Sequence, residues 1–198
     1  MAVVTALRDA RGGRIAVELD GERWRTLPLE VVARVGLAPG EELDRSRLRA
    51  LARELRRARA LDSALRTVTR RDVSSQRLRE RLARRHVPPA QRDEAVGALE
   101  RAGFVDDARY ACGRAASLAD RGHGDAAIRW RLEDEGVPAA LVAAAITGLE
   151  SEVERARRFV EARGSGLRTA RELVRRGFGE DAVESALGGA VADEGWHG

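Results

Sequence analysis

The 198-residue chain contains no lysine, no asparagine and a single cysteine, and only 4% of its residues are aromatic. The lone Cys112 excludes an internal disulfide and any multi-cysteine metal site, and His86, His123 and His197 lack ligand spacing. No metal and no cofactor is therefore expected. Without lysine there is no phosphate-cradling glycine loop that ends in that residue. No histidine and carboxylate recur at catalytic spacing, and Gly12-Gly13 reads as a turn, so the chain is not expected to be an enzyme. Cys112, followed by Gly113 in a helical stretch, reads as a small buried residue. No apolar run approaches the roughly 20 residues of a membrane span, and the amino terminus lacks the basic-then-apolar pattern of a signal peptide. A soluble, cytoplasmic chain without membrane contact is the expectation. With so few aromatic residues, its cores must be built from Leu, Val and Ala, which suits thin interfaces between short helices better than one large core.

What is present is a repeat. Leu78 and Leu82 precede His86-Val87-Pro88; Ile128 and Leu132 precede Gly136-Val137-Pro138; Thr169 and Leu173 precede Gly177-Phe178-Gly179. The helical stretches that follow stay in register through Val96, Ile146 and Leu187, and those that precede through Val68, Leu118 and Phe159. A period of roughly 40 to 50 residues made of short helices is the mark of a tandem array, whose product is curvature and an extended surface rather than a deep catalytic cleft.

The amino-terminal stretch differs. Val3 to Leu7, Ile15 to Leu19 and Glu22 to Leu27 read as a three-stranded meander, with turns at Ala10 to Gly13 and at Asp20-Gly21. Pro28 suits the first turn of a short helix that Gly36 closes, and Asp44 or Ser46 can cap a longer, Arg-rich helix. Trp24 is expected to pack the sheet on these helices. The organisation is thus mainly α: a β-rich domain over 1–57, three-helix, helix-turn-helix-like repeats over 58–105, 106–150 and 151–188 forming an elongated curved array, and a flexible tail over 189–198.

Charge alternates along this array. Arg45 to Arg71 carries ten arginines against Glu54 and Asp62; Asp125 to Glu154 carries two against seven acids; Arg155 to Arg176 carries eight against Glu161 and Glu172. Such a pattern suits a polyanion or a protein with its own charge pattern, although solvated helix faces with pairs such as Glu80 and Arg84 produce it too. Arg77, Arg81, Arg84 and Arg85 share one helical face beside Leu78 and Leu82. Arg168, Arg171 and Arg175 share another, with Arg176 adjoining. These guanidinium ridges can pair with phosphate or carboxylate. Trp130, between Arg129 and Arg131, can stack on a base, but a tryptophan in a short helix is more often packed; Tyr110 and Phe104 read as interior.

Around the second repeat the chain resembles the RecX family, regulators of the RecA recombinase. The residues that carry this are Leu99, Gly103-Phe104-Val105-Asp106-Asp107, Tyr110-Ala111, Arg121-Gly122-His123-Gly124, Ile128, Leu132 and Gly136-Val137, with Leu65, Ser74, Ser75 and Leu78 upstream. The acidic Glu133-Asp134-Glu135 and a third repeat without the double-Asp turn depart from the family pattern. The resemblance implies a monomer that binds the RecA filament and, weakly and without sequence preference, single- and double-stranded DNA. It also implies inhibition of filament extension, ATP hydrolysis and strand exchange, and so a part in regulating DNA repair, recombination and the SOS response. Local physics explains the motif equally well: Asp106 can accept from free amides at a helix start, Asp107 suits the positive end of the helix dipole, and Gly103 closes the preceding helix. A helix-turn-helix transcriptional regulator is the rival reading. It is disfavoured because Gln76 and Gln91 are the only amide side chains available for adenine recognition.

Overall fold

The computed structural model describes residues 2–193, with side chains described through residue 188. The fold is mainly helical, with a small antiparallel sheet near the amino terminus. It divides into two compact units, Met1–Arg70 with Arg79–Arg101, and Arg71–Leu78 with Ala102–Gly198.

In the first unit, β1 (Ala2–Ala10), β2 (Arg14–Leu19) and β3 (Glu22–Pro28) form the expected meander. Leu7 faces Val17 and Ile15 faces Leu27 across the strands. Asp20 and Gly21 both have positive φ, 52° and 86°, as a tight hairpin of matching twist demands. A fourth strand, β4 (Glu42–Leu43), was not legible in the sequence; it pairs with β1 and gives the order β3-β2-β1-β4. Two residues are too few to show a period of two, so only the pairing partner reveals such a strand. Helix α1 (Leu29–Val35) follows Pro28, and Gly36 ends it with φ 67°. Val4, Val17, Leu27, Val31, Leu43 and Leu51 form the core between sheet and helices, with Trp24 half-buried against it.

Helix α2 (Arg45–Val68) is capped by Asp44, whose Oδ1 accepts from the Arg47 amide at 2.7 Å. It runs unbroken for 24 residues, so the boundary expected between 57 and 58 falls inside one helix. No glycine or proline interrupts that stretch, and nothing there can stop the helix. Helix α3 (Ser75–Arg84) contributes its first turn to the second unit and the rest to the first, where α4 (Pro89–Arg101) packs on α2.

The second unit holds α5 (Asp107–Asp120), α6 (Asp125–Asp134), α7 (Ala139–Thr147), α8 (Glu152–Arg163), α9 (Leu167–Arg175) and α10 (Glu180–Asp193). One cluster joins α5, α6 and α7 through Ala115, Leu118, Ile128, Leu132 and Val142; another joins α8, α9 and α10 through Ala156, Val160, Leu173, Phe178 and Ala186. Measured from the helix starts, Ala111 corresponds to Ala156 and Ala115 to Val160, so Leu118 and Phe159 do not occupy equivalent places. In α2 it is Thr67, not Val68, that is buried. Helix α10 passes the expected end of the third repeat at 188 and remains helical to Asp193, so the flexible tail expected from 189 is helical over its first five residues; residues 194–198 lie outside the described residues.

Candidate functional site

Within the second unit, the start of one helix twice meets the end of another. At the first junction the Ser74 hydroxyl donates to the Glu135 carbonyl at the end of α6 and also accepts from the Arg77 amide, capping α3. The Ser75 amide and hydroxyl both donate to Asp107, each at 2.7 Å. At the second junction the Gly124 amide donates to the Arg176 carbonyl (3.0 Å) and the Ala126 amide to the Gly177 carbonyl (3.1 Å). Here Glu152 takes the role of Asp107 and accepts from the Asp125 amide at 2.5 Å. Asp107 and Glu152 each follow a helix cap, Asp106 and Ser151, and each serves the start of a different helix. The expectation that Asp106 caps its own helix holds, since it accepts from Ala108 and Arg109 at 2.9 Å.

Glycine is required where backbone approaches backbone. A Cβ on Gly124 would run into the backbone of Gly177 and Phe178, and one on Gly177, which has φ 83°, would run into Ala127. His86, at the corresponding end of α3, adopts φ 57° with an exposed side chain.

The junctions draw in several of the candidate basic residues. Arg77 pairs with Asp134 at 2.6 Å; within the first unit, Arg85 is likewise engaged and donates to the Ser63 hydroxyl at 2.6 Å. Arg176 holds Glu172 at 3.0 Å, donates to the Arg121 carbonyl and lies over the Phe159 ring. Arg155, only 5% exposed at its side chain, reaches Asp125 and the carbonyls of His123 and Glu150. Tyr110 donates to Glu135 at 2.7 Å, and Arg114 grips the same carboxylate with two nitrogens. Burial and then the hydrogen bond to Glu135 push the Tyr110 hydroxyl up to about 12. Burial alone would raise the Glu135 carboxyl, but hydrogen bonds from Arg114 and Tyr110, together with their charge surroundings, hold it below the ordinary value.

What remains outward is different. On α9, Arg168, Arg171 and Arg175 are all exposed, while Thr169 and Leu173 face inward. Among the described residues none of the three has a carboxylate partner, since neighbouring Glu172 is held by Arg163 and Arg176. Leu167 and Val174 are exposed beside them. On α6, Arg129 is exposed and Arg131 half-buried. Trp130 is 65% exposed, against the expectation of a packed ring. Its place is explained by period: Ile128 and Leu132 set the inward face of α6, and the residue midway between them points away. Phe104 and Cys112 are likewise exposed rather than interior. Arg84 is exposed and Arg81 half-buried on α3. Of the motif residues, Gly103 and Gly122 end their helices with φ 73° and 77°. Burial and the guanidiniums of Arg131, Arg176, Arg121 and Arg114 all lower the His123 pKa, which marks a positive field around the α5–α6 turn.

No family profile matches the chain. Regulatory protein RecX from Halorhodospira halophila is 34% identical to it over 143 residues, which cover 67% of this chain and 88% of that protein. The chain belongs to the RecX family. A second Regulatory protein RecX, from Stenotrophomonas maltophilia strain K279a, is 32% identical over 133 residues, covering 62% of this chain and 82% of its own length. A crystal structure of regulatory protein RecX superposes with a TM-score of 0.81 over 94% of this chain and 98% of that one, at 20% identity. RecX from Lactobacillus salivarius gives 0.61 over 69% and 97%, at 13% identity. At those identities the likeness is one of fold. The RecX resemblance drawn from the Gly103 to Val137 stretch is thus correct at the level of family and fold. No described helix is long and apolar enough to cross a membrane.

Glu135 stood out in the sequence only as part of an acidic departure from the family pattern, and Glu152 and Arg155 did not stand out at all. The partners Arg114 and Tyr110 of Glu135, Asp125 of Glu152 and His123 of Arg155 lie 21 to 32 residues away in the chain, outside the reach of any helical or strand period. The one available signal was that Asp107 and Glu152 both follow a capping residue at a helix start.

Proposed function

We propose that this chain binds the filament that RecA recombinase forms on DNA and restrains its extension, its ATP hydrolysis and strand exchange. Kinship with proteins named regulatory RecX supports the partner. The observation that carries the choice of surface is the row Arg168, Arg171 and Arg175, outward on α9 with no carboxylate partner among the described residues, while Arg77 and Arg176 are engaged inside the unit. Forked guanidinium donors pair with phosphate oxygens or with carboxylates on a protein, so this face fits a nucleoprotein filament. Arg129 and exposed Trp130 on α6 extend the same chemistry with a ring on which a base can stack.

The test is the rate of single-strand-dependent ATP hydrolysis by RecA from the same organism, with and without the chain. The wild-type chain slows hydrolysis. Replacing Arg168, Arg171 and Arg175 with Glu weakens the apparent inhibition by about tenfold or more, because like charge then faces the filament, while helix content is unchanged. Full inhibition by that variant removes α9 from the interface. No inhibition by the wild-type chain, combined with tight sequence-selective binding to duplex DNA when RecA is absent, overturns the proposal in favour of a transcriptional regulator.

A further inference from the structure

The first unit contains a groove of about 990 Å³ that the proposed filament surface does not use. Its origin is the length of α2. One stripe of that helix, Ala60, Ser63, Ala64 and Thr67, is buried, and α4 packs on α2. A second stripe, Leu55, Ala58, Leu61 and Leu65, recurs at helical spacing along the groove instead. Opposite it stands Leu29, at the start of α1. Leu29 and Leu65 are 54% and 37% exposed, more than a helix normally leaves on an aliphatic stripe that faces its own domain.

The rim is basic. Arg14 and Arg25 come from the strands, Arg59 and Arg66 from α2. Arg66 is paired with Asp62, but among the described residues Arg14, Arg25 and Arg59 have no carboxylate partner. Arg14 donates one nitrogen to the Thr26 carbonyl at 2.8 Å, and Arg25 lies over Trp24, which leaves both with donors to spare. Glu30 is the one acid on the rim besides Asp62.

We infer that this groove between α1, α2 and the strand ends is a docking site for an acidic segment of a partner protein that carries aliphatic anchor residues. The aliphatic floor selects against nucleic acid: no lining residue is aromatic, so there is no platform for a base, and phosphates gain nothing from Leu29, Leu61 and Leu65. Aliphatic side chains fill the floor while carboxylates meet the three uncompensated guanidiniums, the usual division of a peptide-binding groove into an apolar centre and a charged rim.

The full chain is titrated against a fluorescein-labelled amphipathic helical peptide of glutamate and leucine, read by fluorescence anisotropy. Saturable binding is expected, weakening as salt screens the rim. Arg59→Glu and Leu65→Glu, both at exposed positions, each weaken it by about tenfold while the circular dichroism spectrum is retained. Arg168→Glu, on α9, leaves it unchanged. Three results would each overturn the inference: no binding by the wild-type chain, equal binding of a peptide with glutamine for glutamate or serine for leucine, or displacement by single-stranded oligothymidylate.

Discussion

At the junction of α3 with α6 the contact is made by side chains: Ser74 reaches the Glu135 carbonyl, Ser75 both oxygens of Asp107, and Arg77 the carboxylate of Asp134. At the junction of α6 with α9 it is made by backbone: the Gly124 and Ala126 amides bond directly to the carbonyls of Arg176 and Gly177. The helix starts are held alike, by Asp107 in one case and Glu152 in the other. The difference lies in how near the chains come. Glycine ends α6 at 136 and α9 at 177, and a Cβ on either would collide, with the Gln76 side chain or with Ala127. At the start of the facing helix Gly124 also removes a Cβ that would meet backbone, whereas at the first junction Ser74 keeps its Cβ and spans the gap with its hydroxyl. The same geometry therefore tolerates either a polar side chain or none, provided each buried amide and carbonyl finds a partner.

The sharpest way to break this comparison is to place serine, the residue found at 74, at the starts of the other two helices. Gly124→Ser sets a Cβ against the Gly177 and Phe178 backbone and destabilises the protein by about 3 kcal/mol in chemical denaturation. Gly166→Ser, at the start of α9 where the space is open, changes stability by only a few tenths of a kcal/mol, and in the stabilising direction, because serine is a good helix cap. Equal effects at the two sites would mean that the close approach does not matter.

A smaller contrast concerns the residues four places after the caps Asp106 and Ser151, which are Tyr110 and Arg155. Arg155→Met leaves Asp125 and two carbonyls without their guanidinium, a loss of about 2 kcal/mol, below the value for a fully buried pair because Asp125 is 32% exposed. Tyr110→Phe leaves Glu135 still gripped by Arg114, and costs about 1 kcal/mol. Thermal or urea melts of the two variants side by side check the ranking.

The smallest effect is that of pH on the first junction. The folded state holds Glu135 below its ordinary carboxyl value of 4.5, so its contribution to stability is complete above pH 4.5 and is lost as pH falls through the lower folded value. Glu135→Gln flattens that part of the curve, by under about 1 kcal/mol for a carboxylate whose side chain is 16% exposed, in melting temperatures taken across the acid range. An unchanged acid limb would show that the carboxylate is not what Arg114 and Tyr110 hold.

Much of the fold was legible because its signals are local. The Asp20-Gly21 hairpin, the Asp44 and Asp106 caps and the stripes through Leu78, Ile128 and Leu173 depend on residues within one turn of each other. What was not legible depends on distance in the chain. Arg77 and Arg168 head equally coherent basic ridges in the sequence, but Arg77 meets Asp134 across a junction and Arg168 meets no carboxylate among the described residues. Trp130 was misread by residue type, although the spacing of its neighbours Ile128 and Leu132 already placed it outward.

By itself the sequence determined the family, the mainly helical class and most helix limits, because caps, periods and glycine stops act over a few residues and are written where they act. Only the tertiary structure decided which of the many arginines are bound within the molecule and which face outward, because a guanidinium is neutralised by whatever carboxylate or carbonyl folding brings within about 3 Å. That pairing is a matter of position in space, to which order along the chain gives no key.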